Sequence, residues 1–347
     1  MLSLIWFILI LSAIVAVHEF GHFIFAKLSH TYVYEFSIGM GKKIFGKKKK
    51  DGETEFCVRA IPLGGYVMIA GEDTLDEQIP ADRQMCNKSF IQRFLILFAG
   101  AFNNFVFAFI ILFISALIYG ATVTDPYIGQ VLEGSAAYNA GLESGDLILE
   151  LDGEKISNWD QGLIKIQTTD GKEMIFKVKK ANGEVFEYAV TPVLEKNEDG
   201  VESYKFGIGT YYEKEYGFVK SLSYAVRRTG SLFVSMFDTI KYLFTGRVGV
   251  DQLSGPVGIY SVVDSQAEQG LEAILYLVAY LSINVGVINL LPFPAFDGGR
   301  ILFLLIEKIF KKPVSKKVEN IIHSIGFMLI ILLLIVVTFN DILKLFM

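Results

Sequence analysis

Long apolar runs along this chain are separated by polar stretches punctuated with glycine. A helix needs about 20 mostly apolar residues to cross a bilayer. Four segments meet that condition: Leu4 to Ala26, Phe94 to Gly120, Leu271 to Leu291 and Ile321 to Phe339. Two further segments have the helical period but carry basic residues throughout, "GFVKSLSYAVRRTGSLFVSMFDTIKYLF" and "RILFLLIEKIFKK" (Arg300 to Lys312), and predict amphipathic helices at a membrane surface. Between Gly39 and Gly71 apolar and polar residues alternate, as in "GETEFCVRAIPLGGYVMIAGE", which predicts a β-hairpin or small sheet beside the membrane. Its exposed edge is either a peptide-pairing site by strand addition or that of an ordinary cytoplasmic hairpin. Residues 122–195 hold short β-rich runs divided by Gly and Asp turns and predict a soluble α+β domain.

Composition agrees with a polytopic membrane protein. The chain has 347 residues, 52% of them hydrophobic, and a mean hydropathy of +0.44, too apolar for an ordinary soluble enzyme. The net charge of −5 conceals an asymmetry. Lysines crowd Gly41 to Lys50 and Lys308 to Lys317, while acids concentrate between residues 133 and 215. Positive loops mark the cytoplasmic side, so both lysine clusters are expected there, with the N-terminus, residues 121–270 and the C-terminus outside. The first apolar run has no basic leader and no small-x-small cleavage site, and reads as a retained span. Two cysteines, Cys57 and Cys86, give neither a disulfide framework nor a C-x-x-C metal pair.

The first span contains "AIVAVHEFGHFIFAKL", Ala13 to Leu28. A charged group at the centre of a membrane helix costs roughly 2.5–3.5 kcal/mol on insertion scales, so His18, Glu19 and His22 need a reason. On a helix, His18 and His22 stack on one face. H-E-x-x-H is the zinc-protease pattern, two imidazoles on the metal and the glutamate as base. A catalytic zinc needs a third protein ligand. His30 has the wrong spacing. Asp297, in "NLLPFPAFDGGR" (Asn289 to Arg300), follows two prolines that end the third span at the same expected membrane level. Asp297 is either an oxygen ligand opposite the imidazoles or a cap for the helix that follows.

Two resemblances add to this reading. The line "GSAAYNAGLESGDLILELDGEKI" (Gly134 to Ile156) resembles the PDZ domain of bacterial membrane and envelope proteases, through Ala140-Gly141-Leu142, Gly145-Asp146, Ile148 and Gly153, with Ala136 where a proline is usual. Such a domain either captures peptide at a sheet edge or acts as a steric filter. "HEFGH", "NLLPFPAFDGG", "RAIPLGGYV" (Arg59 to Val67), the PDZ line and "SGPVGI" (Ser254 to Ile259) together resemble the site-2 proteases, which are intramembrane zinc metalloproteases. The similarity is to their bacterial PDZ-containing branch, which includes the protease that cleaves the sigma-E anti-sigma factor. The resemblance implies that His18, His22 and Asp297 bind one Zn2+ per chain and that Glu19 is the catalytic base. It also implies that Asn289, Pro292 and Pro294 shape a substrate groove. The family's Gly-Pro-x-x-Asn pattern keeps Gly100 and Asn104 but has Ala101 in place of proline. Asn104 is expected either to bind substrate backbone or to join helices.

The expected fold class is therefore a polytopic α-helical membrane protein with about four transmembrane helices, a membrane-associated β-hairpin or sheet, and one extracytoplasmic PDZ (α+β) domain. Residues 1–120 would form an N-terminal membrane core, including the β region 35–72, and residues 121–197 the PDZ domain. Residues 198–270 would be a linker with interfacial helices, and 271–347 a C-terminal membrane core. The expected function is peptide-bond hydrolysis within or near transmembrane segments of single-pass membrane proteins, such as anti-sigma factors, remnant signal peptides or peptide precursors. The expected location is the bacterial plasma membrane, with no nucleic acid partner and the PDZ domain able to take a peptide. The contrasting expectation is a catalytically inactive membrane PDZ adaptor; the presence of both histidines, Glu19 and Asp297 speaks against it.

Overall fold

A computed structural model describes residues 2–48, 52–72, 75–123, 125–196, 202–210, 213–246, 249, 253–312 and 314–344. Lys49 and Lys50, at the end of the first lysine run, lie outside the described residues, as do residues 198–201, 211–212, 247–248 and 250–252 of the expected linker. The chain divides into two units, residues 1–111 with 251–347, and residues 112–250.

In the first unit the helix α1 (Leu2–Leu28) is followed by two strands, β1 (Val33–Lys48) and β2 (Glu55–Ile69). Each strand bends back so that residues 33–38 pair with 65–69 on one side and 55–58 on the other, and residues 45–48 pair with 55–58. The expected hairpin is thus a small four-stranded sheet made from two long strands. The fold-back at Gly39 needs φ +86°, and a Cβ there would fall 2.7 Å from the Ile61 carbonyl oxygen, so only glycine serves.

Helix α2 (Phe90–Tyr119) follows; its first residues belong to this unit. The second part of the unit is built from α6 (Pro256–Gln269), α7 (Leu271–Leu290), α8 (Asp297–Phe310) and α9 (Lys316–Lys344). Helices α1, α2, α7 and α9 are long and apolar enough to cross a membrane. Helix α9 is apolar nearly all round, yet Phe327, Met328, Leu332, Ile335 and Phe339 are exposed, the pattern of a helix solvated by lipid. By contrast, Phe7, Ile10 and Ile14 of α1 pack with Val263 of α6 and Ile274, Leu277 and Val278 of α7. Nearer the sheet, Ala26, Val33, Ile69, Ile96, Leu97, Ile301 and Leu304 form a second apolar cluster. Asp341 of α9 is buried, and one of its carboxylate oxygens accepts from the Gly258 N–H at 2.8 Å. That charge meets the N-terminus of α6, where unpaired N–H groups and the helix dipole favour an anion. The sequence expectation left α6 inside a linker.

The second unit contains β3 (Ala121–Thr122), β4 (Ile128–Val131), α3 (Ala136–Ala140), β5 (Leu147–Leu151), β6 (Glu154–Lys155), α4 (Trp159–Gln167), β7 (Met174–Lys179) and β8 (Val185–Val190). After these come β9 (Val193–Lys196), β10 (Glu202–Lys205), β11 (Ile208–Thr210), β12 (Lys214–Glu215) and α5 (Phe218–Phe244). The largest sheet has the order β6-β5-β7-β8 and is antiparallel. Met174, Phe176 and Val178 of β7 alternate into the core, meeting Ile128, Leu142, Ile148, Leu151 and Phe206. Helix α3 starts at Ser135, whose side chain accepts from the Tyr138 N–H, and stops at Gly141 with φ +94°.

Strand β11 pairs with β4, β12 pairs with β3, and Phe206 enters the core. Residues 206–210 and 214–215, expected in the linker, therefore complete this unit. Strand β10 pairs locally with β9, but the partners of β11 and β12 lie about 80–90 residues upstream, beyond the reach of a local pattern. Helix α5 is tied to α4 by Arg228 and Ser231, which both reach Asp160 at 2.5 Å, and by Gln161 to Asp238 at 3.1 Å.

Packing at glycine positions sets two opposite expectations. A Cβ at Gly286 of α7 would lie 2.7 Å from Phe105 Cε1 and 3.2 Å from the Ala101 oxygen of α2. Gly286→Val should therefore cost about 1–3 kcal/mol through overpacking and lower the melting temperature of the detergent-solubilised protein. Gly230 of α5 has open space around it, so Gly230→Ala should gain about 0.5–1 kcal/mol of helix propensity. Equal melting temperatures for the two variants would contradict the packing described.

Candidate active site

Helix α1 presents His18 and His22 on one face, their rings edge to face with centroids 4.8 Å apart. Both are buried. Burial at this depth requires a neighbouring helix to come close, and α2 does so through small residues. Gly21 abuts the backbone of Ala99 and Gly100, where a Cβ would fall 2.7 Å from the Ala99 carbonyl carbon. Gly100 is the floor beneath the imidazoles: a Cβ there would lie 2.7 Å from His22 Cε1 and 2.8 Å from His18 Cε1.

Asp297 reaches the same point from the other end of the chain. Helix α7 stops at Leu290, the backbone turns through Pro292 and Pro294, and α8 begins at Asp297 itself. The residue before it, Phe296, makes no side-chain cap, and Asp297 points to the histidines. Gly298 and Gly299 let the start of α8 press on the preceding loop. A Cβ at Gly298 would fall 2.5 Å from the Leu290 carbonyl carbon, and one at Gly299 2.5 Å from the Phe293 oxygen.

The three side chains close a triangle. His18 Nε2 and His22 Nε2 are 3.2 Å apart, and Asp297 Oδ2 lies 3.1 Å from the first and 3.2 Å from the second. His22 Nδ1 is 2.8 Å from the Ile96 carbonyl oxygen. A carbonyl only accepts, so Nδ1 holds a proton, and in the neutral ring Nε2 turns a lone pair into the triangle. Asp297 Oδ2 has no hydrogen-bond donor either. Buried lone pairs converging on one point repel unless a cation sits among them. Tetrahedral zinc with bonds of about 2.0–2.1 Å holds its ligands roughly 3.3 Å apart, so the donor set and its spacing fit zinc and leave a fourth position for a reactant.

Glu19 lies on the side of α1 that faces β2. The Val67 backbone N–H lies beside its carboxylate. Gly65 allows the strand to pass this close, since a Cβ there would sit 2.8 Å from the Ser37 oxygen and 3.5 Å from Glu19 Cγ. A carboxylate, a three-donor cation site and a strand segment are thus adjacent.

The other residues expected at the site lie as follows. Asn104 is wholly buried, its amide 3.4 Å from His18 Nδ1. Asn289 is half-buried in the last turn of α7, Pro292 is exposed, and Pro294 is half-buried against α9, where a Cβ at Gly326 would fall 2.6 Å from its oxygen. His30 is exposed in the turn after α1 with φ +55°, outside the triangle.

A residue that sequence reasoning left aside is His323 of α9. Its Nδ1 accepts from the Ala295 N–H at 2.9 Å. Ala295 has φ +81°, a left-handed conformation that is costly for alanine. His323 and Gly326, on one face of α9, therefore seat the loop that delivers Asp297. Nothing local marks His323, which in the sequence is one polar residue at the end of an apolar run.

A second group of possible ligands, Glu35, Glu55 and Cys57, lies in the small sheet. Its carboxylates already have partners. Glu35 accepts from Arg59 and Tyr66 at 2.8 and 2.9 Å, and Glu55 from Lys43 at 2.7 Å. Burial would raise the Glu35 pKa, yet the Arg59 and Tyr66 bonds hold it below the usual glutamate value. That cluster is an ion-pair network.

Comparison with known proteins agrees with this chemistry. The profile of peptidase family M50 matches residues 6–333. The chain is 33% identical to the zinc metalloprotease RasP of Shouchella clausii, over 99% of each chain. It is 31% identical to the regulator of sigma-W protease RasP of Bacillus subtilis, again over 99% of each. Among solved structures, the PDZ domain of an SdrC-like protein from Listeria innocua is 24% identical, covering 26% of this chain and 99% of that one, with a TM-score of 0.22.

The close floor under the imidazoles makes a direct expectation. Gly100→Ala should force both rings off the triangle and reduce zinc retention at least about tenfold, as losses in the support of metal ligands do. Zinc content of the purified protein after dialysis against a chelator reads this. Wild-type retention would show that the floor does not set the ring positions.

Proposed function

The chain belongs to peptidase family M50, the site-2 proteases, and is a zinc metalloprotease of the membrane; we propose that it hydrolyses peptide bonds within or beside transmembrane segments of other membrane proteins. The observation that carries this reading is the triangle of His18 Nε2, His22 Nε2 and Asp297 Oδ2 with Glu19 alongside. In this reading His18, His22 and Asp297 hold the zinc and Glu19 is the general base.

Bound zinc would supply Lewis-acid polarisation of the scissile carbonyl and a more acidic water. Glu19 takes the proton from the attacking water as the new C–O bond forms, then gives it to the leaving amine as the C–N bond breaks. A helical substrate hides its carbonyls in internal hydrogen bonds, so the segment must be extended at the site. The 65–69 segment of β2 pairs with residues 33–38 on one side, and its Val67 N–H lies beside Glu19. Strand addition along this segment would hold an extended peptide across the triangle. Asn289, Pro292 and Pro294 border the loop on the Asp297 side and would shape the rest of the groove.

We read residues 121–215 as the PDZ domain, on the strength of the Gly134 to Ile156 line, with a helix-capping Ser135 and the antiparallel sheet around it. The lysine asymmetry supports a cytoplasmic active site with this domain outside. The name of the B. subtilis relative, regulator of sigma-W protease, suits anti-sigma factors as one class of substrate for this arrangement.

Glu19→Gln should keep zinc at wild-type stoichiometry and abolish cleavage of a model transmembrane substrate, whereas His22→Ala should lose both. Cleavage by Glu19→Gln at the wild-type rate would refute the assignment of the base. For sidedness, a membrane-impermeant thiol reagent should label Lys48→Cys only in inverted vesicles and Asp152→Cys only in intact cells, in a background lacking Cys57 and Cys86. The opposite pattern would overturn the orientation.

A further inference from the structure

An imidazole that binds a metal keeps one nitrogen bare, and the partner of its other nitrogen decides which one carries the proton. His22 has such a partner in the Ile96 carbonyl. His18 turns Nε2 to the triangle and Nδ1 to Asn104 of α2, at 3.4 Å. Asn104 is wholly buried, so water cannot take that partner's place.

The amide has two orientations with different consequences. With its nitrogen toward the ring, His18 Nδ1 must accept. The proton then sits on Nε2, inside the triangle. Asn104 Oδ1 is left as a buried acceptor with no partner, which is costly. A half-turn about the terminal bond exchanges oxygen and nitrogen, which are nearly identical in shape, and moves nothing else. Oδ1 then accepts from His18 Nδ1–H, Nε2 is bare, and the amide N–H groups turn to the place that Oδ1 held. Both imidazoles now offer lone pairs to the point that Asp297 Oδ2 also faces.

We propose that Asn104 is the positioning residue for His18, fixing its tautomer and ring orientation for zinc as the Ile96 carbonyl does for His22. This rests on the reading of His18 as a zinc ligand. It differs from a substrate contact, because the side chain is wholly buried behind the imidazole. It also differs from simple helix joining. That task falls to neighbouring atoms: Ser282 Oγ of α7 donates to the Asn104 backbone oxygen at 2.9 Å, and Asn103 Nδ2 donates to the Val17 oxygen at 3.2 Å.

The test is zinc retention by the full-length protein in detergent across a chelator series, with cleavage kinetics measured alongside. Asn104→Leu should release zinc at about 10- to 100-fold lower chelator concentration. Asn104→Ala, too short to reach the ring, should do the same and serves if the leucine variant does not fold. Asn104→Asp keeps the shape and the acceptor and should retain zinc as the wild type does. Ser282→Ala removes the interhelical bond without touching the amide and should also retain it. The proposal is overturned if the leucine or alanine variant holds zinc normally, with or without a raised KM. It is equally overturned if Asn104→Asp fails like leucine, or if Ser282→Ala loses zinc to the same degree. His18→Ala separates the two layers: normal zinc retention there would refute His18 as a ligand and not merely Asn104 as its support.

Discussion

Three buried side-chain atoms converging on one point are the constraint on which the rest of the first unit depends. Left alone, His18 Nε2, His22 Nε2 and Asp297 Oδ2 at 3.1–3.2 Å would repel one another in a medium that screens charge poorly. Side-chain entropy would disperse them. They stay together because each is held from behind: His22 by the Ile96 carbonyl, His18 by the Asn104 amide, and Asp297 by a loop resting on His323 and Gly326. The energy for this arrangement comes from apolar packing around it and from the cation that the three atoms suit.

Such a site can be built only where backbones come close. Gly21, Gly100 and Gly286 remove side chains where α1, α2 and α7 meet, and in each place a Cβ would overlap a backbone or ring atom. In lipid, apolar burial gives little drive for helix association, so close contact through small residues supplies it instead. The same glycines that join the helices thus create the space for the imidazoles. The sheet makes a matching approach at Gly65, which brings a strand to Glu19.

Part of this was legible in the sequence because it is local. Four apolar runs gave four long helices, each within about five residues of its expected ends, since about 20 apolar residues are a strong signal. His18, Glu19 and His22 stood out as candidates through one helical turn of spacing. Asp297 stood out as a candidate because two prolines and a glycine pair mark a chain break at the expected depth. What the sequence did not disclose depends on distant partners. Gly100 reads as a small residue in a span, His323 as a stray polar group, and residues 208–210 and 214–215 as linker. Each acquires its role from atoms far along the chain: the imidazoles of α1, the Ala295 N–H, and strands β3 and β4. The sequence left Asn104 between two roles; the position of its amide behind His18 suggests a third.

All of the groups described around the triangle belong to the first unit, and the account stands or falls on the metal's position there. Anomalous diffraction at the zinc edge, from crystals of the full-length chain, measures that position directly. The account predicts a single strong peak within about 2.0–2.2 Å of His18 Nε2, His22 Nε2 and one Asp297 oxygen. A peak held by His30, or by Glu35, Glu55 and Cys57, with Asp297 turned away from it, would contradict the account.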